Sequence, residues 1–208
     1  MSDDHPLFFV SYARAAGGEP DGNVKTFFND LSQRVSELAG RRPGADPGFM
    51  DRSIKSGQHW TDELLHAIGT CDVFVPLLCV PYRRSSWCGM EWHAVSLRKG
   101  TGAARNSRPP VIIPVIWAPF SDDQMPTIIG KIQRFSPGDD LPGVNAQKEY
   151  EEHGVYGLLW LKRTVPYRWI VWKLALEIAR HHPSSNHPVR HRTLSEDDLH
   201  NAFQENET

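Results

Sequence analysis

Trp87 and Glu91 stand four residues apart in the stretch Ser85-Ser86-Trp87-Cys88-Gly89-Met90-Glu91, a spacing that puts both side chains on one face of a helix. A carboxylate beside a large aromatic surface makes a stacking wall for a planar ring and sets a fixed negative charge next to it. Glutamate near a helix start is also favoured by the helix dipole alone, so it is the tryptophan that raises Glu91 above an ordinary solvated acid. Cys88 lies between them, but no histidine–acid pair is placed to activate a thiol, and it reads as a small buried residue. Other groupings carry less. Asp62-Glu63-Leu64-Leu65-His66 lacks the leading histidine of a zinc-protease helix. His181, His182, His187 and His191 fall in a polar stretch and read as tail rather than as metal ligands. No G-x-G-x-x-G follows the first strand, and no G-x-x-x-x-G-K-[ST] occurs anywhere. A phosphoryl-accepting domain would want paired acids where Ser11 and Tyr12 stand.

The elements that must position these residues alternate along the chain. Leu7 to Val10 is a short apolar strand, and Val24, Phe27, Phe28, Leu31, Val35 and Leu38 recur at helical spacing until Gly40 stops them. A strand is predicted over Gly48 to Asp51, a helix through Trp60, Leu64 and Ile68, and a strand over Cys71 to Val80. Ser85 and Ser86 offer an N-cap for a helix running to about Lys99. Val111 to Trp117 is a fourth strand. A short fifth strand is predicted near Gln133 to Ser136, a helix from Asn145 to Lys162, and a final helix through Tyr167, Ile170, Val171, Leu174 and Ile178. Strands apolar on both faces, separated by helices, belong in a parallel sheet covered on both sides. The predicted fold is therefore α/β, a flavodoxin-like doubly wound sheet. In such sheets ligands bind outside the carboxyl ends of the strands, which selects Ser11 to Arg14, Asp51 to Gly57, Pro81 to Cys88 and the loop after Trp117.

The composition fits this reading. The 208 residues include 39% hydrophobic types, with 23 Lys+Arg against 25 Asp+Glu. That is enough apolar matter for a core, and it leaves no basic footprint for nucleic acid or an anionic membrane. Three cysteines without metal-ligand spacing argue against a disulfide-built secreted domain and for the reducing cytoplasm. The longest apolar runs are far too short to span a membrane, and the N-terminus has no basic region ahead of an apolar one. From Pro183 onward the chain is rich in Pro, Ser, His and Asn, then carries two arginines against five acids. One domain over residues 1–182 and a flexible acidic tail over 183–208 are expected, with one helical turn near Leu199 to Phe203.

Three stretches together resemble a known family. Phe8-Phe9-Val10-Ser11-Tyr12, then Phe49-Met50-Asp51 with Ile54 and Gly57, then Ser86-Trp87-Cys88-Gly89-Met90-Glu91 are similar to the box motifs of TIR domains, and the spacing between them agrees. The match covers roughly residues 5–180 and looks most like the bacterial TIR-like proteins of actinobacterial type, some of which are FxsC-like. The resemblance implies one of two activities. Many TIR domains cleave NAD+ to nicotinamide and ADP-ribose or a cyclic isomer, in bacterial signalling or anti-phage defence; others only assemble as signalling adaptors. It implies Glu91 as the catalytic glutamate, and Ser11, Tyr12, Arg14, Phe49, Asp51, Arg52, Trp87 and Cys88 as residues around the NAD+ substrate. Ala13 interrupts the family's frequent Tyr-Arg pair. Asp51 and Arg52 open the loop through Ile54, Lys55 and Gly57 by which TIR domains self-associate, so a homo-oligomer is expected. Nicotinamide leaves as a neutral group from a cationic ring, so the reaction needs neither a general acid nor a metal. What develops is an oxocarbenium-like ribose that one fixed carboxylate can stabilise. NAD+ is then the substrate, and no cofactor, metal, nucleic acid or membrane is implied.

Overall fold

A computed structural model describes residues 5–14, 21–40, 46–51, 61–98, 108–121, 123, 125–139, 143–181 and 189–204. The first strand, β1 (Phe8–Ser11), is buried along its whole length. After it comes α1 (Gly22–Ala39), capped by the Asp21 side chain, which accepts from the Asn23 N–H, and closed by Gly40 in the left-handed region at φ 62°. Then follow β2 (Gly48–Met50), α2 (Asp62–Thr70) with its Thr61 cap, β3 (Val73–Leu78), the short α3 (Val80–Arg84) and α4 (Ser86–Leu97). The chain continues through β4 (Val111–Ile112), β5 (Val115–Ile116), α5 (Thr127–Gly130), α6 (Ala146–Trp160) and α7 (Thr164–Arg180).

All strand pairs are parallel, in the order β2-β1-β3-β4, with β5 also on β3. The predicted strand over Val111 to Trp117 is thus split in two. β4 and β5 keep one register along β3, and the break falls at Ile113–Pro114, which the unbroken register sets level with Pro76. Neither proline has an N–H to give the ladder, so pairing lapses there and resumes after it.

Alternation along β1 sends its side chains to two layers. Phe8 meets Phe28 of α1, whereas Phe9 stacks on Phe74, which meets Trp92 of α4 edge-on. The helices sort accordingly: α1 packs with α6 and α7, while α4 packs with α2 and α3. The doubly wound α/β fold predicted from the strand pattern is the fold observed.

Three further local expectations differ. The stretch 133–136 forms no strand; it is tied to the sheet by the Phe135 N–H, which donates to the Pro114 carbonyl at 2.9 Å. The helix predicted over Asn145 to Lys162 is interrupted at Gly154, where φ is 62° and ψ is 176°. The third difference is the largest. Residues 189–204, expected to belong to a flexible tail, lie against the body. Val189 and Leu194 are buried, and Val189 bridges to Arg108 at the sheet edge. In place of a helical turn near Leu199 to Phe203 there is a 3-10 turn at Glu196–Asp198.

This segment runs along α4 in reverse. Near its start the Arg98 side chain donates to the Arg190 carbonyl at 2.9 Å, and Arg192 donates to the Leu97 carbonyl at 3.2 Å. Further on His200 sits over His93. At the far end the Ala202 N–H donates to the Gly89 carbonyl, and Phe203 packs on Tyr82 and Trp92. The close approach depends on Gly69: a Cβ there would lie 2.4 Å from the Arg192 carbonyl oxygen. No helix among the described residues is long and apolar enough to cross a membrane.

Candidate active site

The carboxyl ends of β1, β2 and β3 converge with the start of α4. Ser85 caps α4 by accepting from the Cys88 N–H at 3.2 Å. That start fixes the helix rotation, and Glu91, one turn on, points in at the end of β1 rather than out to solvent. The glutamate is only 3% exposed. Its Oε2 accepts from the Ser11 hydroxyl, and the Ser11 oxygen lies 2.9 Å from the Tyr82 hydroxyl. With Ser11 giving its one proton to Glu91, Tyr82 must be the donor to Ser11, so two hydroxyls in series support the carboxyl.

Electrostatics at this spot are unusual for an acid. Burial pushes the Glu91 carboxyl up from its ordinary 4.5 to about 8. The Ser11 hydrogen bond is the strongest influence pulling it back, and the Asp51 charge adds to the rise. Arg14 lowers it but is committed elsewhere: its guanidinium pairs with the Asp51 carboxylate and also reaches the Asp51 carbonyl. That carbonyl accepts from the Tyr12 hydroxyl as well. Tyr12, Arg14 and Asp51 therefore form one knot beside Glu91, and burial holds Tyr12 above the ordinary phenol range.

The structure brings together most of the residues singled out in the sequence. Ser11, Tyr12, Arg14, Asp51, Trp87, Cys88 and Glu91 cluster at one sheet edge. Trp87, a turn before Glu91, aids its ionised form through the indole N–H. Cys88 is wholly buried, and desolvation followed by the Glu91 charge holds its thiol well above the ordinary value, so it is a packed neutral group. Phe49 goes elsewhere: its ring stacks on Phe9 at 5.5 Å, as the outer member of the row Phe49, Phe9, Phe74, Trp92. Arg52, Ile54, Lys55 and Gly57 lie outside the described residues.

Tyr82 is the member that motif reading missed. Its ring is fully buried, and burial raises its hydroxyl well above the usual phenol value. The available signal was an aromatic residue in the first turn after β3, at the sheet end where ligands bind.

A family model described as a TIR domain matches residues 8–153, more than half of the chain. Among solved structures, the TIR domains of the activated Roq1 resistosome directly recognizing the pathogen effector XopQ are similar at 19% identity, over 88% of this chain and 87% of that one, with a TM-score of 0.37. No curated protein matches the chain. From the start of β1 through Glu91 and on to the first half of α6, then, the chain belongs to the TIR domain family.

Proposed function

We propose that this TIR domain cleaves NAD+ at the nicotinamide–ribose bond. The observation that carries the reading is Glu91: an acid without a direct cation partner among the described residues, buried at the carboxyl edge of a parallel sheet, held by Ser11 and one helical turn from Trp87. The C–N bond to nicotinamide breaks with its electron pair going to the ring, which leaves neutral. The ribose becomes oxocarbenium-like, and ionised Glu91 faces that charge. Attack by water on the ribose carbon, with loss of a proton, gives ADP-ribose; attack from within the molecule gives a cyclic isomer. Trp87 supplies the stacking surface, and the Tyr12–Arg14–Asp51 knot borders the dinucleotide. NAD+ is the substrate in this scheme, not a resident cofactor.

The raised carboxyl gives the reaction a pH signature. Glu91 must be ionised to act, and burial holds it protonated to about pH 8. In the free enzyme kcat/KM therefore rises as pH passes through that region. The cationic pyridinium of bound NAD+ favours the ionised form, so binding near neutral pH releases a proton.

A second reading, a TIR assembly module without chemistry, is favoured by one observation: a carboxyl 3% exposed cannot meet substrate until the site opens. In the catalytic reading that opening accompanies self-association through the loop after Asp51, which includes Arg52, Ile54, Lys55 and Gly57. Concentrated protein incubated with NAD+ separates the two. Release of nicotinamide that rises with protein concentration and falls at least about 1000-fold in Glu91→Gln supports catalysis, an effect near 4 kcal/mol on the barrier. No turnover at any concentration, with or without a crowding agent, leaves the adaptor.

A further inference from the structure

The opposite edge of the sheet carries a second cluster that NAD+ cleavage does not use. His5 precedes β1, Asp72 leads into β3, and His191 lies in the segment that runs along α4. The ligand atoms these three residues offer all lie within 4.8 Å of one another. The His5 Nε2 is 3.5 Å from the Asp72 Oδ1, and the two imidazole rings face each other at 5.0 Å between centroids, tilted by 60°. Bonds of about 2.0–2.1 Å in a tetrahedral zinc site set neighbouring ligand atoms about 3.4 Å apart. The His5–Asp72 separation already matches that span, and the His191 ligand atom lies within 4.8 Å of both.

Two further features distinguish the cluster from an ion pair. One carboxylate needs one imidazole partner; a second imidazole turned toward the same acid is what a metal requires and an ion pair does not. The backbone on either side of His191 is also pinned. The Arg190 carbonyl accepts from the buried Arg98, and the Arg192 N–H donates to the Gly69 carbonyl at 3.0 Å. Asp72 is fixed from its own side: it is 1% exposed, and its carbonyl accepts from the Val111 N–H. The backbone that carries Asp72 and His191 is therefore held before any ion arrives, while the exposure of His191 leaves a path in and a fourth position for water.

We propose that His5, Asp72 and His191 form a binding site for a divalent transition metal. Two imidazole nitrogens and one carboxylate oxygen are a donor set suited to Zn2+. The ion would clasp the segment 189–204 to the amino ends of β1 and β3, at the far edge of the sheet from Glu91. Ligands so far apart in the chain leave no short-spacing motif, so the histidines near the C-terminus read as a polar tail in the sequence.

Titration of the full chain with Zn2+, and with Co2+ as a spectroscopic probe, tests this. One ion per chain is expected, with Co2+ absorption of tetrahedral intensity and a rise in Tm that follows ion concentration. His5→Ala and His191→Ala should each weaken binding by at least about 100-fold, whereas the triple change His181→Ala, His182→Ala, His187→Ala should not. Zn2+ should slow proteolysis within 189–204 in the wild type and not in His191→Ala, whose exposed side chain can be removed without loss of the fold. Absence of binding at millimolar Zn2+, or binding that survives His191→Ala and vanishes in the triple variant, overturns the proposal.

Discussion

The two edges of the sheet each bury an acid, and they treat it differently. At the carboxyl edge Glu91 meets neutral hydroxyls and an indole, while the nearby Arg14 is taken up by Asp51. Its charge is poorly compensated, and its carboxyl rises to about 8. At the amino edge Asp72 faces two imidazoles, and the buried Arg98 is committed to the carbonyls of Ile68, Cys71 and Arg190. One edge holds an acid whose protonation can change on contact with a cation. The other joins three distant pieces of chain. The segment 189–204 connects the edges, since it starts beside Asp72 and ends on the ring of Tyr82, which supports Ser11 and through it Glu91.

The largest expected effect breaks the comparison at Glu91. A carboxyl whose folded value lies above its ordinary one stabilises the fold while protonated. That contribution is complete below about pH 4.5 and is lost as pH rises through about 8. Denaturant unfolding of the wild type should show a decline on the order of 4–5 kcal/mol across this window. Glu91→Gln, which keeps the shape without the titration, should lack this component of the decline. A wild-type curve parallel to the variant's across this window would mean that Glu91 is not desolvated.

Removing the cation at the other edge comes next. Arg98→Ala leaves the carbonyls at the end of α2 without their donor and frees Arg190, so a loss of about 3–5 kcal/mol is expected. Proteolysis within 189–204 should quicken more than in the helices. Equal quickening everywhere would show that Arg98 supports the whole core rather than this edge.

Smaller changes separate the segment from the site. In Gly69→Ala the new methyl meets the Arg192 carbonyl, so the segment must shift at a cost of about 1–3 kcal/mol. The variant should lose protection of amides in 189–204 from hydrogen exchange while those of β1 and β3 stay protected. At the carboxyl edge, Trp87→Ala should weaken use of NAD+ by about 1–3 kcal/mol, the scale of base–aromatic stacking, visible as a raised KM. A Trp87→Ala chain that fails to fold would assign the ring to the core instead.

Much of the carboxyl edge was legible in the sequence because its residues are local to their elements. Ser11 and Tyr12 end a strand whose apolar run is unmistakable, and Trp87 and Glu91 are joined by helical periodicity. Strand and helix order followed from the same short-range patterns. What reading by period could not reach was burial, since the i−4 spacing puts Glu91 beside Trp87 but does not say that Ser11 and Tyr82 close over it.

The amino edge was decided by tertiary structure alone. His5, Asp72 and His191 come from three remote stretches, and no spacing rule joins them. The segment 189–204 shows why such docking escapes sequence reading: Val189, Leu194, Leu199 and Phe203 are isolated apolar residues in polar surroundings, with no regular period. The clue lay in the partner. α4 reads Ser-Trp-Cys-Gly-Met-Glu-Trp-His-Ala-Val-Ser-Leu, apolar nearly all round, and a helix without a polar face must be covered on both sides. The sheet covers one side. That the C-terminal segment covers the other follows from which surface lay within its reach once the sheet had formed, a matter of three-dimensional proximity that the order of residues does not encode locally.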